Sequence, residues 1–176
     1  MKLKRLRNIN GIGFTIMIAV TCSVMTFAEM TDEPPMWVLR PLSLATYLSV
    51  LLFFANTIRT LLMRDRYEHG FTDARLTRDI FLSLFAAIIS AAGVYHIYGY
   101  TIHGGVCPAG PARLDEAIYL ATVSFTTLGY GEFLPCPGWS RFTSGSLALV
   151  GNLHLAFLVS LTMVIIGKRE KTLPRP

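Results

Sequence analysis

The sequence predicts an all-α membrane protein: four helices that cross the bilayer and, between the third and fourth, a short re-entrant helix followed by a loop. Three observations predict it. Of the 176 residues 52% are hydrophobic and 15% charged, with a mean hydropathy of +0.48, whereas a soluble domain carries about 25% charge. Four apolar stretches are long enough to cross, since about 20 helical residues span the hydrocarbon core. A fifth apolar stretch, residues 117–125, is too short to cross. Such a segment is tolerated only where protein or water covers its backbone.

Each element has its own justification. Residues 11–28 are uncharged and form the first expected span. Residues 37–63 are apolar apart from Arg40 near one end and Arg59 near the other, where long side chains reach the interface,. Residues 80–102 hold no charge and one histidine, His96, and residues 142–167 are again uncharged. No segment has arginine at every third residue, so the front half does not read as a voltage sensor. Residues 1–66 read as an added helix hairpin, 67–79 as a cytoplasmic loop and 80–176 as the functional module.

Charge sets the expected topology. The net charge of +5 could suit nucleic acid. The basic residues, however, sit in short flanks of apolar segments rather than along one face. Lys2, Lys4, Arg5 and Arg7 precede the first segment; Arg59, Arg64, Arg66, Arg75 and Arg78 fall around the middle loop; Lys168, Arg169, Lys171 and Arg175 follow the last. Positive flanks stay inside, so both termini and the middle loop are expected to be cytoplasmic. Basic residues, an apolar run and Thr26-Phe27-Ala28 before Glu29 also fit a cleaved leader,. The run is longer than a leader needs and Thr26 suits cleavage poorly, so a retained helix is expected.

The chemistry concentrates after the short helix, in Thr126-Thr127-Leu128-Gly129-Tyr130-Gly131-Glu132. A dehydrated cation needs a ring of oxygens, and backbone carbonyls supply it if successive residues turn them inward. Glycine permits this because it tolerates positive φ. A lone Gly-Tyr-Gly would read as a turn. Here it follows a threonine pair and an apolar helical run, between two long hydrophobic segments.

These residues resemble the selectivity filter of potassium channels, Thr-Val-Gly-Tyr-Gly in its usual form. The resemblance extends from residue 80 to the tail and is similar to the two-transmembrane bacterial pore: outer helix, pore helix, filter, inner helix. Gly138-Trp139-Ser140-Arg141 falls where that family has a Trp-Gly-Arg-like turn. The resemblance implies K+ coordination by the carbonyls of Thr127, Leu128, Gly129 and Tyr130 and by the Thr127 hydroxyl, with Gly131 completing the filter. Thr126 and Glu132 flank it. Asp115 and Glu116, near the pore-helix start, would offset the positive helix end; the alternative is a pair of solvated loop acids. Gly151 falls on the family's hinge glycine or serves close helix packing. Asn152, Leu155, Val159 and Met163 match the pore-lining stripe. Asn152 could instead hydrogen-bond between helices, and His154 reads as packing between helices. The family's acid in the pore helix is replaced by Val123, and its bracing tryptophans by Tyr119 and Leu120, so the support behind Tyr130 must differ.

Because one loop cannot encircle an ion, a pore of this kind implies four copies around a closed axis. The expectation is therefore a homotetrameric, multi-pass potassium channel of the bacterial plasma membrane. It works in the lipid bilayer with K+ as permeant ion, no cofactor and no nucleic acid. A weakly selective cation channel and a non-conducting accessory subunit are the alternatives. No Ser/His, His-Glu or paired-carboxylate arrangement suggests an enzyme, and His96 and His103 lack metal-ligand spacing. Cys22 lies in an apolar segment as a packing residue. Cys107 and Cys136 bracket the short helix and loop on the expected outside, where oxidation permits a disulfide; two free thiols are the alternative.

Overall fold

The computed structural model describes residues 2–31, 34–62, 73–108 and 110–172. In chain order the elements are α1 (Lys2–Met30), α2 (Met36–Leu62), α3 (Asp73–Tyr98), β1 (Tyr100–Ile102), α4 (Leu114–Phe125), β2 (Phe133–Pro135) and α5 (Trp139–Thr172). Among the described residues three helices hold stretches long and apolar enough to cross a membrane: Met36–Arg59, Arg78–Tyr98 and Trp139–Ser160. The first expected span lies in α1, whose apolar part, Thr15–Met30, is shorter than these among the described residues.

Helix α3 is the hub. It packs against α1, α2, α4 and α5, and every residue of 91–97 is buried. Its inward positions are small: Ala86, Ala87, Ser90, Ala91 and Ala92. Small residues let helices approach closely where lipid gives no hydrophobic drive for association. The approach of α1 is tightest at Gly93, where a Cβ would meet the Thr21 methyl at 2.8 Å. Polar pins fix α2: Tyr47 reaches across to α5, with its hydroxyl 2.8 Å from Ser146 Oγ and 3.3 Å from the Thr143 carbonyl. Tyr98 Oη donates to the Arg40 carbonyl at 3.1 Å, and the Arg40 guanidinium lies 6.0 Å from the Tyr98 ring centroid.

Several boundaries differ from the apolar runs. Helix α3 begins at Asp73, inside the stretch expected to be loop; residues 63–72 lie outside the described residues. It ends at Tyr98, not at residue 102, because Gly99 turns the chain with φ 87° into β1. There Tyr100, Thr101 and Ile102 pair antiparallel with Pro135, Leu134 and Phe133. Helix α4 starts three residues before the expected apolar run, and α5 starts at Trp139 rather than at 142. Amphipathic helix ends carry polar residues that hydropathy leaves out.

Candidate functional site

The site is assembled by α4, the loop 126–132, the β1–β2 pair and α5. Helix α4 starts without a side-chain cap at Arg113. Instead Arg113 binds the acids of the first turn: Nη2 lies 2.7 Å from Asp115 Oδ2 and Nη1 3.5 Å from Glu116 Oε1. The guanidinium beside it holds the Asp115 carboxyl below the usual range. Glu116 also accepts from Tyr100 Oη at 2.7 Å. Burial, then this carboxylate, pushes the Tyr100 phenol up. Both acids thus sit at the positive helix end with Arg113 and Tyr100 as partners.

At its other end α4 winds tightly before releasing the chain. Thr126, Thr127 and Leu128 N–H groups donate to Thr122, Ser124 and Val123 carbonyls at 3.0, 3.2 and 3.1 Å. Positive φ then recurs at alternate residues: Thr127 58°, Gly129 52° and Gly131 81°. In an extended chain successive carbonyls face opposite sides; reversing the backbone hand at every second residue is the pattern that brings them to one side. A Cβ at Gly129 or Gly131 would meet nothing within 4 Å, so conformation rather than space favours glycine there. Thr127, which is not glycine, is the residue most costly to hold in this region; its hydroxyl donates to the Thr126 carbonyl at 2.7 Å.

The loop exit is held from the opposite side. His103 N donates to the Glu132 carbonyl at 2.9 Å, Cys136 N to the Gly99 carbonyl at 3.3 Å, and Ser140 Oγ to the same carbonyl at 2.9 Å. Cys107 and Cys136 are joined in a disulfide, with Cα atoms 6.0 Å apart. Cys22 is free and exposed. The Glu132 side chain is exposed.

Behind the loop, Tyr119 stacks on Tyr130 with centroids 6.5 Å apart and meets Phe133 edge-on at 5.6 Å. Ser124 Oγ lies 3.1 Å from Ser144 Oγ of α5 and accepts from Tyr95 Oη at 3.5 Å. Tyr119, Tyr130, Phe133, Ser124 and Ser144 line a cavity of about 180 Å³ that reaches Gly129 and Glu132. Sequence reasoning singled out Tyr119 by position but not its stacking, and it missed the hydroxyl chain entirely. Serines on three-residue and longer spacings carry no signal of their partners.

On α5, Gly151 is buried against the end of α4: a Cβ would collide with the Phe125 carbonyl oxygen. Close packing is therefore a role of Gly151. The helix continues through this position without a break. Asn152, Leu155, Val159 and Met163 are all exposed in the single chain, whereas His154 is buried between helices. Leu128 and Tyr130 are also exposed, at 61% and 65%. An aromatic and a leucine so bare, beside an exposed apolar helix face, mark a surface that lipid or protein covers.

A family model described as an ion channel matches residues 81–168, half of the chain. No curated protein and no solved structure matches.

Proposed function

The chain belongs to the ion channel family, in its two-transmembrane, potassium-channel-like form, and is an integral membrane protein; from this premise we propose that it conducts K+ passively as a homotetramer. The observation that carries the reading is the alternating backbone hand over Thr127, Gly129 and Gly131, directly after a short apolar helix. In this reading α4 is the re-entrant pore helix. The carbonyls of Thr127, Leu128, Gly129 and Tyr130 replace the hydration shell of K+, and the Thr127 oxygen adds a ligand below them. The C-terminal end of α4 directs partial negative charge toward the water-filled cavity and favours a cation there.

The exposed residues support assembly. Leu128 and Tyr130 gain cover from neighbouring copies, and Asn152, Leu155, Val159 and Met163 line the path inside the filter. The division into an α1–α2 hairpin, a cytoplasmic loop and a pore module, with both termini cytoplasmic, follows the positive flanks; the bacterial plasma membrane follows the likeness to the two-transmembrane bacterial pore.

The test is ion flux in liposomes holding the purified chain, with K+ or Na+ as the only permeant cation. K+ flux well above Na+ flux supports the reading. Equal fluxes favour the weakly selective cation channel, and no flux from assembled protein favours an accessory subunit.

A further inference from the structure

His154 is 1% exposed and, by the 100° step of the helix, lies about 140–180° around α5 from Asn152, Val159 and Met163 and about 100° from Leu155. Four helices meet at its ring. Phe54 of α2 stacks on it, with centroids 4.3 Å apart and planes 8° from parallel. Phe125, the last residue of α4, meets it edge-on at 5.4 Å. Nδ1 lies 2.9 Å from the Val150 carbonyl of α5, and Nε2 lies 2.7 Å from Ser83 Oγ of α3.

Counting protons makes this more than a packing residue. A carbonyl only accepts, so Nδ1 carries a proton. Ser83 has one hydroxyl proton and two acceptors in reach: Nε2, and the Ile80 carbonyl at 2.8 Å. When the hydroxyl donates to Nε2, the ring is neutral. When it donates to Ile80, Nε2 bears its own proton, donates to Ser83 Oγ, and the ring is a cation. Ring and hydroxyl are hydrogen-bonded in both states, and rotation of one hydroxyl interconverts their partners. A buried cation without such acceptors would be prohibitively unfavourable; the aromatic face of Phe54 adds to its accommodation.

Among the described residues, other charged and titratable groups around the ring are few. Asp79 of α3 lies one turn from Ser83, is buried, and binds Arg78 at 2.8 Å. On α2, Arg59 is exposed five residues beyond Phe54, and Tyr47, two turns before it, is bonded to Ser146. Tyr95 lies three turns from Ser83 toward the other end of α3. Asp115 and Glu116 lie at the other end of α4 from Phe125, and Arg141 lies in the first turn of α5, well before His154.

We infer that His154 and Ser83 form a proton-binding site that regulates conduction, with protonation lowering cation flux. The inference rests on the channel reading above. An imidazolium at His154 stands one helix width, about 10 Å, from the cavity lined by Asn152 and Leu155. At that distance, with an effective dielectric constant near 20, the repulsion from each imidazolium lowers cation occupancy about tenfold, and a tetramer carries up to four. The site also spans α2 and α5, which gives the front hairpin a part in regulation.

The experiment measures K+ flux in liposomes holding the full chain, between about pH 8 and pH 5, alongside imidazole NMR of His154 in the same protein. The wild type loses flux at least about tenfold on acidification, the loss from a single imidazolium in the tetramer. His154→Gln removes this pH dependence. Ser83→Ala, which deletes the acceptor of the charged ring, moves both the half-loss of flux and the NMR titration about one pH unit lower. His69→Gln, His96→Gln and His103→Gln leave the response in place. A pH-independent wild type, a full response in His154→Gln, or a response abolished only by Asp79→Asn overturns the inference. If His154→Gln does not fold, the Ser83→Ala shift decides. Absence of wild-type flux at pH 8 sinks the channel reading instead; the NMR titration, moved or unmoved by Ser83→Ala, still decides the proton site.

Discussion

Gly151→Ala adds one methyl group where α5 crosses the end of α4. The new Cβ would collide with the Phe125 carbonyl oxygen and lie 2.9 Å from its carbon and 3.4 Å from its Cα. The obstacle is backbone, so no rotamer change relieves it; α5 and the last turn of α4 must separate. Overpacking of this kind costs about 1–3 kcal/mol, and a collision with rigid backbone belongs at the upper end. Replacing glycine by alanine in a helix returns about 1 kcal/mol. The net loss is about 2 kcal/mol, which at about 2–4 °C per kcal/mol lowers Tm by roughly 4–8 °C. Gly145→Ala on the same helix is the internal control: its Cβ meets nothing within 4 Å, so only the propensity gain remains and Tm rises by about 2–4 °C. Thermal unfolding in detergent, followed by the fluorescence of Trp37 and Trp139, reads both variants. Because Phe125 directly precedes Thr126, K+ flux should fall in Gly151→Ala and hold in Gly145→Ala. A Gly151→Ala protein as stable and as conductive as Gly145→Ala refutes the close-packing argument.

Three further outcomes are expected. Gly129→Ala has room for its methyl but must hold a positive φ of 52°, a strain of about 1–2 kcal/mol; assembled protein should lose its preference for K+ over Na+ in liposome flux, and retained preference would contradict the filter assignment. Mass spectrometry of unreduced peptides should recover Cys107 linked to Cys136 within one chain, and reduction should loosen the junction of β1 with β2, seen as faster amide exchange at His103; two alkylatable thiols under oxidising conditions would rule the bond out. Asn152→Asp adds up to four negative charges to the cavity of a tetramer and should raise conductance and internal block by polyvalent cations with voltage dependence; a variant that assembles but conducts and blocks as wild type would make Asn152 a packing residue.

Much of the architecture was legible because bilayer chemistry writes it locally. Long uncharged runs mark helices able to cross, and a short one marks a helix that cannot. Thr126 to Gly131 marked the candidate filter loop because only glycine holds such backbone turns cheaply. The same logic reached Gly129 and Gly131 but not Thr127, whose positive φ comes from the tight winding of α4 beneath it. Gly99, an ordinary glycine in an apolar run, ends α3 and starts a strand; hydropathy does not register a change of backbone hand.

By itself the sequence determined the apolar segments, the flanking charge, the filter-like motif and the stripe of Asn152, Leu155, Val159 and Met163, since each is a matter of residue type and period along one chain. Only the tertiary structure decided which groups meet. Tyr119 stacks on Tyr130, Ser124 finds Ser144, Arg113 and Tyr100 share Glu116, Gly151 admits the Phe125 carbonyl, and His154 is enclosed by Phe54, Ser83 and Phe125. Apart from Arg113 with Glu116, an (i,i+3) pair at the start of α4, those contacts join residues 11 to 100 positions apart. Their existence depends on helix crossing and rotation, which the packing of small residues along α3 sets and no local pattern encodes.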